Sequence, residues 1–143
     1  MKEIVPVIET VLKDLDMYSP EASELVYRTG MVESGYRNIR QIRGPAVSYW
    51  QIEPATGQDI IDNYLKYRPK MMNKVIEQGL DPFRVEWSML TNIPVALSFC
   101  RLKYWRDPKP IPTTLEEQAV YWKQVYNTSG GAGTPEKFIK ANT

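Results

Sequence analysis

The sequence contains no histidine and a single cysteine, Cys100. The lack of histidine excludes Ser-His-Asp and Cys-His catalytic machinery and most zinc sites, so carboxylates remain as the acid–base groups for chemistry near neutral pH. One cysteine cannot form an internal disulfide, so the fold has to be stable without a covalent cross-link. We expect Cys100 to be a small buried apolar side chain.

The sequence also lacks an excess of charge of either sign, because its formal net charge is only +1. A protein that binds polyanions through bulk charge is therefore not expected, and we predict no nucleic-acid partner. The basic aromatic run at residues 101–106 is typical of the solvent-exposed end of an otherwise buried helix.

Long apolar runs are missing as well. The N-terminal apolar stretch, within residues 1–10, contains acidic residues, so we expect neither a signal peptide nor a membrane anchor. A chain of 143 residues with 43% apolar content suits one domain spanning residues 1–143. We expect this domain to be a monomer.

Apolar residues recur mostly at steps of three and four, which predicts a mainly α fold with about eight helices and minimal β structure. Helix boundaries follow from N-cap residues, prolines in first turns and a terminal glycine. Five helices are predicted with both ends: 2–16, 20–34, 69–78, 95–105 and 114–126, the last with a Thr114/Glu117 capping box. Three more are predicted from their starts. One is capped by Thr56, one begins at Asp81-Pro82 and is interrupted at Ile93-Pro94, and a short one begins at Thr134-Pro135. Residues 36–50 are predicted to be irregular, with one short extended pair.

Glu33 lies at the end of the second predicted helix and continues its apolar stripe. The residues Ala22, Leu25, Val26, Thr29 and Val32 define that face. A carboxyl group in apolar surroundings has a raised pKa, of about 6, and can donate a proton near neutral pH. The alternative is a helix-end carboxylate that faces solvent, as most do.

The residues after Glu33 resemble a known pattern. Glu33-Ser34, Tyr36, Ala46, Gln51-Ile52, Pro54 and Thr56 are similar to the Glu-Ser and Gly-Ala-x-Gly-Leu-Met-Gln-Ile-x-Pro-x-Thr motifs of the lytic transglycosylases and goose-type lysozymes. The stretch 126–130, Tyr-Asn-Thr-Ser-Gly, resembles their Tyr-Asn-Ala-Gly box. Pro45 and Ser48 stand where the pattern has glycine, and Tyr49-Trp50 stand where it has Leu-Met.

This resemblance implies a lysozyme-like fold and cleavage of the β-1,4 bond between N-acetylmuramic acid and N-acetylglucosamine in peptidoglycan, without metal or organic cofactor. It suggests a phage-encoded endolysin or virion-associated lysin, made in the bacterial host cytoplasm and acting on the cell wall after release or delivery in the virion. The alternatives are a goose-type hydrolase and a non-catalytic module that binds the wall or forms part of a virion.

The resemblance also assigns candidate roles. Glu33 is the catalytic acid, and Glu53 is either a second carboxylate or a solvated loop residue. Gln51 and Asn127 are candidates for hydrogen bonds to N-acetyl and hydroxyl groups, and Ser34 for orienting Glu33. The other candidate substrate contacts are Thr56, Tyr49, Trp50 and Tyr126; the last three, with Trp122, either stack on sugar faces or fill the core.

Overall fold

The computed structural model describes residues 2–128 and 131–143, and the predicted mainly α class is confirmed. The described residues form eight α-helices and two isolated β-bridges. The helices are α1 (Ile4–Asp14), α2 (Pro20–Glu33), α3 (Pro54–Asn63), α4 (Pro69–Gln78), α5 (Val85–Thr91), α6 (Ile93–Trp105), α7 (Leu115–Tyr121) and α8 (Pro135–Ala141). A short 3-10 turn covers Leu65–Tyr67, and a π-helical segment covers Trp122–Asn127.

Helix α6 forms the centre of the domain. It packs against α1, α2, α3, α4 and α5, and most of its residues are buried, including Phe99, Cys100 and Tyr104. The burial expected for Cys100 is therefore confirmed. None of the helices in the described ranges combines the length and the hydropathy needed to cross a membrane.

Several helix starts follow the predicted capping chemistry. Ser19 Oγ accepts a hydrogen bond from the Ala22 N–H at 3.0 Å, directly before the first-turn Pro20. At α7, Thr114 Oγ1 accepts from the Glu117 N–H at 3.2 Å and donates to the Glu117 carboxylate at 2.8 Å, which confirms contact between the two side chains predicted as a capping box.

Three predicted helix boundaries are wrong. Helix α3 begins at Pro54 with Glu53 in the N-cap position, so Thr56 belongs to its first turn. Asp81 forms a tight turn by accepting from the Phe83 N–H at 3.0 Å, and α5 begins only at Val85. The Ile93-Pro94 pair does not interrupt a helix but begins α6, because the Asn92 side chain caps it at the Val95 N–H.

The predicted helix over 114–126 also differs in its last turn. Regular α geometry ends at Tyr121, and the chain continues in the wider π geometry, in which the Thr128 N–H donates to the Lys123 carbonyl five residues earlier. π-Helical turns shift the side chains that follow away from the 3.6-residue spacing. This shift matters because Trp122, Tyr126 and Asn127 lie on the segment.

The segment between α2 and α3 is irregular, as predicted. Within the described residues its β pairing consists of two isolated antiparallel bridges, one between Val47 and Arg40 and one between Val47 and Ile52. The Tyr36 ring anchors it to α2, stacking on Tyr27 with 5.6 Å between ring centroids. The Tyr36 hydroxyl donates to the Tyr27 carbonyl at 2.8 Å. The segment is thereby held close to the end of α2, where Glu33 lies.

Candidate active site

Glu33 is the last residue of α2, and the apolar face predicted to precede it is buried at Ala22, Leu25, Val26 and Thr29. The Glu33 carboxylate itself is partly buried. The stripe therefore ends with an ionisable group at the edge of the core, where desolvation is strong but a ligand can still reach it.

The indole of Trp122 holds the Glu33 carboxylate. Its Nε1–H donates to Glu33 Oε2 at 3.0 Å, and the ring is buried against Phe138 with 5.6 Å between ring centroids. A side chain at Gly133 would overlap with the far edge of the indole, so only glycine fits where the chain crosses this ring. Trp122 therefore has a fixed position and orients the carboxylate.

Burial raises the pKa of Glu33 from 4.5 to about 7. Two smaller effects lower it: the hydrogen bond from Trp122 and the positive charge of Lys103. The sequence predicts a raised pKa from apolar surroundings, and burial is the largest cause in the structure. A carboxyl group with this pKa is partly protonated at neutral pH and can act as a general acid.

Lys103 is a cleft residue that the sequence pattern does not reveal. Its ammonium group lies 3.9 Å from the centroid of the Tyr126 ring. Burial lowers the pKa of Lys103, whereas the charges of Glu33 and Glu53 raise it, so the ammonium lies near both carboxylates. Residues 101–106 are thus not simply a solvated helix end, since Arg101 is buried and Lys103 partly buried.

A cleft of about 800 Å³ opens in front of Glu33. It contains six of the residues proposed from the sequence, contributed by α2, the loop before α3, α3 itself and the π-helical segment. These six are Glu33, Gln51, Glu53, Thr56, Tyr126 and Asn127; the cleft is completed by Asn38, Gln41, Ile42, Ala46, Lys103, Thr128 and residues 131–133. The two motifs, distant in sequence, therefore meet at one surface.

Trp50 does not line this cleft, and a sugar-stacking role for it is excluded. Its side chain is fully buried, and its Nε1–H donates to the Val26 carbonyl at 2.9 Å. The ring packs edge-on against Tyr36 and Tyr49, with centroid distances of 5.9 and 6.1 Å. Trp50 is a core residue because its indole N–H finds a backbone partner inside the domain.

Tyr126 and Trp122 are also mainly core aromatics. Tyr126 is 3% exposed, its ring stacks on Tyr104 at 5.0 Å, and its hydroxyl donates to the Trp50 carbonyl at 2.6 Å. Only an edge of Tyr126 reaches the cleft. Tyr49 is partly buried and is not among the cleft residues, so Tyr126 is the one of these rings that borders the cleft.

Ser34 does not orient Glu33. Its hydroxyl donates to the Tyr49 carbonyl at 2.7 Å and accepts from the Tyr36 N–H at 3.1 Å. Both hydrogen bonds connect the end of α2 to the loop that follows. Ser34 therefore positions the loop, and the residue that contacts the Glu33 carboxylate is Trp122.

The loop over residues 48–51 has the backbone that a glycine would favour. Ser48 has φ = +73°, at the position where the resembled motif carries glycine. Gln51 has φ = +49°, and its side-chain amide donates to the Ser48 carbonyl at 2.8 Å. The loop thus has left-handed backbone at Ser48 and Gln51, although neither residue is glycine.

Two further polar residues of the motifs border the cleft. Glu53 occupies the N-cap position of α3, with an exposed side chain and no capping hydrogen bond from it. Asn127 Oδ1 accepts from the Lys123 ammonium at 2.9 Å, and that ammonium also donates to the Gly131 carbonyl at 2.9 Å. Ser129 and Gly130, the end of the second motif, lie outside the described residues.

Metal ligation has no obvious place among the described residues, which contain no cluster of three or more His, Cys, Asp or Glu side chains suited to a metal ion. Comparison with models of protein families, with curated proteins and with solved structures finds no match for this chain. The cleft itself offers an acid with a raised pKa, a neighbouring cation and a border of amides and hydroxyls.

Replacing Trp122 by Phe should raise the pKa of Glu33 above its present value of about 7, since the hydrogen bond from Trp122 lowers it. A carbon-13 NMR titration of the Glu side-chain carboxyls measures this directly. Trp87→Phe is the matched control, because Trp87 is half exposed and does not line the cleft. An unchanged or lower pKa of Glu33 in Trp122→Phe would show that the indole does not stabilise the carboxylate.

Proposed function

We propose that this protein is a peptidoglycan-cleaving glycosidase of the lytic transglycosylase type, with Glu33 as its general acid. The observation that carries the proposal is the position of Glu33: a partly buried carboxyl group with a pKa of about 7 that lines an 800 Å³ cleft together with Gln51 and Asn127. This combination of acid and polar cleft suits protonation of a glycosidic oxygen.

In the proposed reaction, Glu33 transfers its proton to the oxygen that leaves N-acetylmuramic acid as the bond from C1 to N-acetylglucosamine breaks. The Glu33 carboxylate then takes the proton of the 6-hydroxyl group of the same muramic acid, and that oxygen bonds to C1. The products are a free sugar hydroxyl and a 1,6-anhydro ring, and Glu33 regains its proton. An attacking group within the same sugar needs no separate water-activating base, because its effective concentration is already high.

The neighbours of Glu33 have defined roles in this scheme. Trp122 holds Oε2 in place, so Oε1 is the atom that exchanges the proton with the substrate. Lys103 stabilises the carboxylate formed after the first step, since its charge favours the ionised form of Glu33. Gln51, Thr56 and Asn127 supply amide and hydroxyl groups for the N-acetyl and hydroxyl groups of the glycan.

Loss of turbidity from purified sacculi tests the function. The wild-type protein should clear the suspension, whereas a non-catalytic wall-binding module would co-sediment with sacculi and leave the turbidity unchanged. The expected biological setting is that of a phage-encoded endolysin or virion-associated lysin, which reaches the wall after release or delivery. This setting follows from the motif resemblance.

A hydrolytic mechanism of the goose type is the second candidate, favoured by the exposed carboxylate of Glu53 in the same cleft. A hydrolase that inverts the sugar uses such a group to activate water. We expect Glu53→Gln to retain most of the wild-type rate on sacculi, because the transglycosylase reaction uses no water. Loss of activity in Glu53→Gln with normal folding would favour the hydrolase.

The rate on sacculi should fall as pH rises, with an apparent pKa near 7 for free Glu33. The direction follows from the requirement for a protonated acid: Glu33 carries its proton below this pKa and has lost it above. The measurement is kcat/KM, or the initial rate at low substrate, from pH 5 to 9. A flat profile across this range would contradict general-acid catalysis by Glu33.

A further inference from the structure

A second cleft, of about 540 Å³, lies between the turn that joins α1 to α2, the end of α6 and the connector at residues 107–111. It shares no lining residue with the cleft at Glu33. The connector is the proline-rich stretch between α6 and α7, which restricts its backbone and fixes one wall of this second cleft.

Arg101 lies at the bottom of the second cleft and is only 6% exposed. Its Nε–H donates to the Met17 carbonyl at 3.4 Å, and its guanidinium carbon lies 5.0 Å from the centroid of the Trp105 ring. Within the described residues, the two terminal nitrogens have no carboxylate or other acceptor as partner; since no buried side-chain nitrogen there lacks one, these nitrogens are reached by solvent from the cleft. The rest of the side chain is desolvated, and this burial lowers the pKa of Arg101.

Negative groups line the same cleft without a cation of their own. Glu21 and Asp107 are both partly buried, and neither forms an ion pair within the described part of the chain. Burial is the main effect that raises the pKa of the Tyr121 hydroxyl; the charge of Asp107 also raises it, and that of Arg101 lowers it. Tyr121 lines this cleft together with Arg101 and Asp107.

The two remaining charged residues of this cleft do not complete the pairs. Asp16 is already bound to the ammonium group of Lys74. Lys109 is exposed on the connector; its backbone N–H donates to Asp107 Oδ1 at 2.8 Å, but in the described structure its ammonium group forms no ion pair with Glu21 or Asp107. A bound molecule that carries both an anion and a cation would give Arg101 an ion-pair partner and place a positive charge beside the two carboxylates.

We infer that the second cleft binds a zwitterionic ligand, an amino acid or the end of a short peptide, with its carboxylate on Arg101 and its ammonium group toward Asp107 and Glu21. A guanidinium group can take a carboxylate through two parallel N–H···O hydrogen bonds. Trp105 and Tyr121 provide aromatic surface for the apolar part of the ligand. This site is separate from the proposed glycosidase cleft and does not depend on it.

Titration of the full-length protein with alanine and with alanylalanine tests the inference, with binding followed by NMR or calorimetry. N-acetylalanine lacks the ammonium group, alanine amide lacks the carboxylate, and inorganic phosphate is an anion only. We expect alanine or alanylalanine to bind at least about tenfold more tightly than each of the three control compounds, N-acetylalanine, alanine amide and phosphate. The better zwitterion identifies the source as a free amino acid or a peptide.

Variants locate the site. Arg101→Gln and Asp107→Asn should each weaken binding of the preferred zwitterion by about tenfold or more, whereas Lys109→Gln, on the exposed rim, should change it less than about twofold. Arg101→Gln should keep or raise the melting temperature, because it removes a desolvated charge that has no ion-pair partner. Arg101→Lys provides a second variant, which keeps the charge but loses the two parallel hydrogen bonds and should also bind about tenfold more weakly.

Three results would overturn the inference. One is no binding of either zwitterion at millimolar concentrations. Another is equal affinity for phosphate or N-acetylalanine, which would mark a simple anion site. The third is unchanged binding in both Arg101→Gln and Arg101→Lys, which would make Arg101 a purely structural residue. If Arg101→Gln does not fold, unchanged binding in Arg101→Lys alone leads to the same conclusion.

Discussion

Glu33→Gln should lower the rate of sacculus clearing by at least about a hundredfold, because general-acid catalysis contributes about 10²–10⁴ to such a reaction and a glutamine cannot supply the proton. The side chains have nearly the same shape, so Gln can still accept the hydrogen bond from Trp122. The loss should appear in kcat more than in KM, since the proton is needed only as the glycosidic bond breaks.

The same substitution should not harm the fold. The pKa of Glu33 rises from 4.5 in the unfolded chain to about 7 in the folded protein, so the wild type loses stability as pH rises between these values. Wild type and Glu33→Gln should therefore melt at similar temperatures below pH 4.5, and the advantage of the variant should grow up to about pH 7 and stay constant above it. A matched control is Glu24→Gln, an exposed residue of the same helix that does not line the cleft.

Activity of Glu33→Gln above a few per cent of the wild-type rate would exclude Glu33 as the acid. A similar rate loss in Glu24→Gln would show that the effect comes from the helix as a whole. Loss of activity combined with a lower melting temperature at neutral pH would contradict the desolvation of Glu33, because removing a buried charge should relieve a cost.

Trp50→Ala should lower the free energy of unfolding by about 3–5 kcal/mol, as expected when a fully buried large aromatic side chain is truncated. The variant loses ring contacts with Tyr36 and Tyr49 and leaves the Val26 carbonyl without its indole partner. Urea denaturation measures the change. The loss of activity in this variant should be mostly proportional to the fraction of protein that is unfolded, since Trp50 does not line the cleft.

Trp87→Ala is the control for Trp50→Ala. Trp87 is 52% exposed, so the same truncation should cost less than about 1 kcal/mol. Similar losses in the two variants would contradict the burial of Trp50. Weaker binding of sacculi by a stably folded Trp50→Ala would restore the sugar-stacking role that its burial excludes.

The sequence predicts those parts of the fold that depend on neighbours along the chain. Ser19-Pro20 and the Thr114/Glu117 pair begin helices where expected, and the stripe before Glu33 is buried because its residues recur on one helix face. Gly79 follows the last residue of α4 with φ = +122°, a conformation that favours glycine. Such signals are local, so they can be predicted without knowledge of the tertiary structure.

Contacts between distant segments could not be predicted in this way. Trp122 reaches Glu33 from 89 residues away, and a π-helical turn changes the direction of the side chains that follow it. Lys103 resembles a solvated helix end in sequence, yet its neighbours Phe99 and Cys100, one turn earlier, are buried. Burial of those two residues on a predicted central helix is the signal that could have placed Lys103 toward the core.

The direction in which side chains point in loops is the other property that the sequence pattern does not predict. Trp50 follows Tyr49 in an irregular segment, where neither period 2 nor period 3.6 determines which ring points inward. In the structure the backbone is left-handed at Ser48 and Gln51, and the Trp50 indole N–H donates to the Val26 carbonyl. Six residues named from the motifs line one cleft, while the division between core and surface aromatics required the three-dimensional structure.

Mass spectrometry of the soluble fragments released from purified sacculi tests the proposed function most directly. The account predicts muropeptides that end in 1,6-anhydro-N-acetylmuramic acid from wild type and from Glu53→Gln, and none from Glu33→Gln. Muramic acid termini heavier by one water, together with an inactive Glu53→Gln, would show that the protein is a hydrolase and not a transglycosylase. The absence of any newly formed muramic acid terminus in the wild-type digest would contradict glycosidic cleavage altogether.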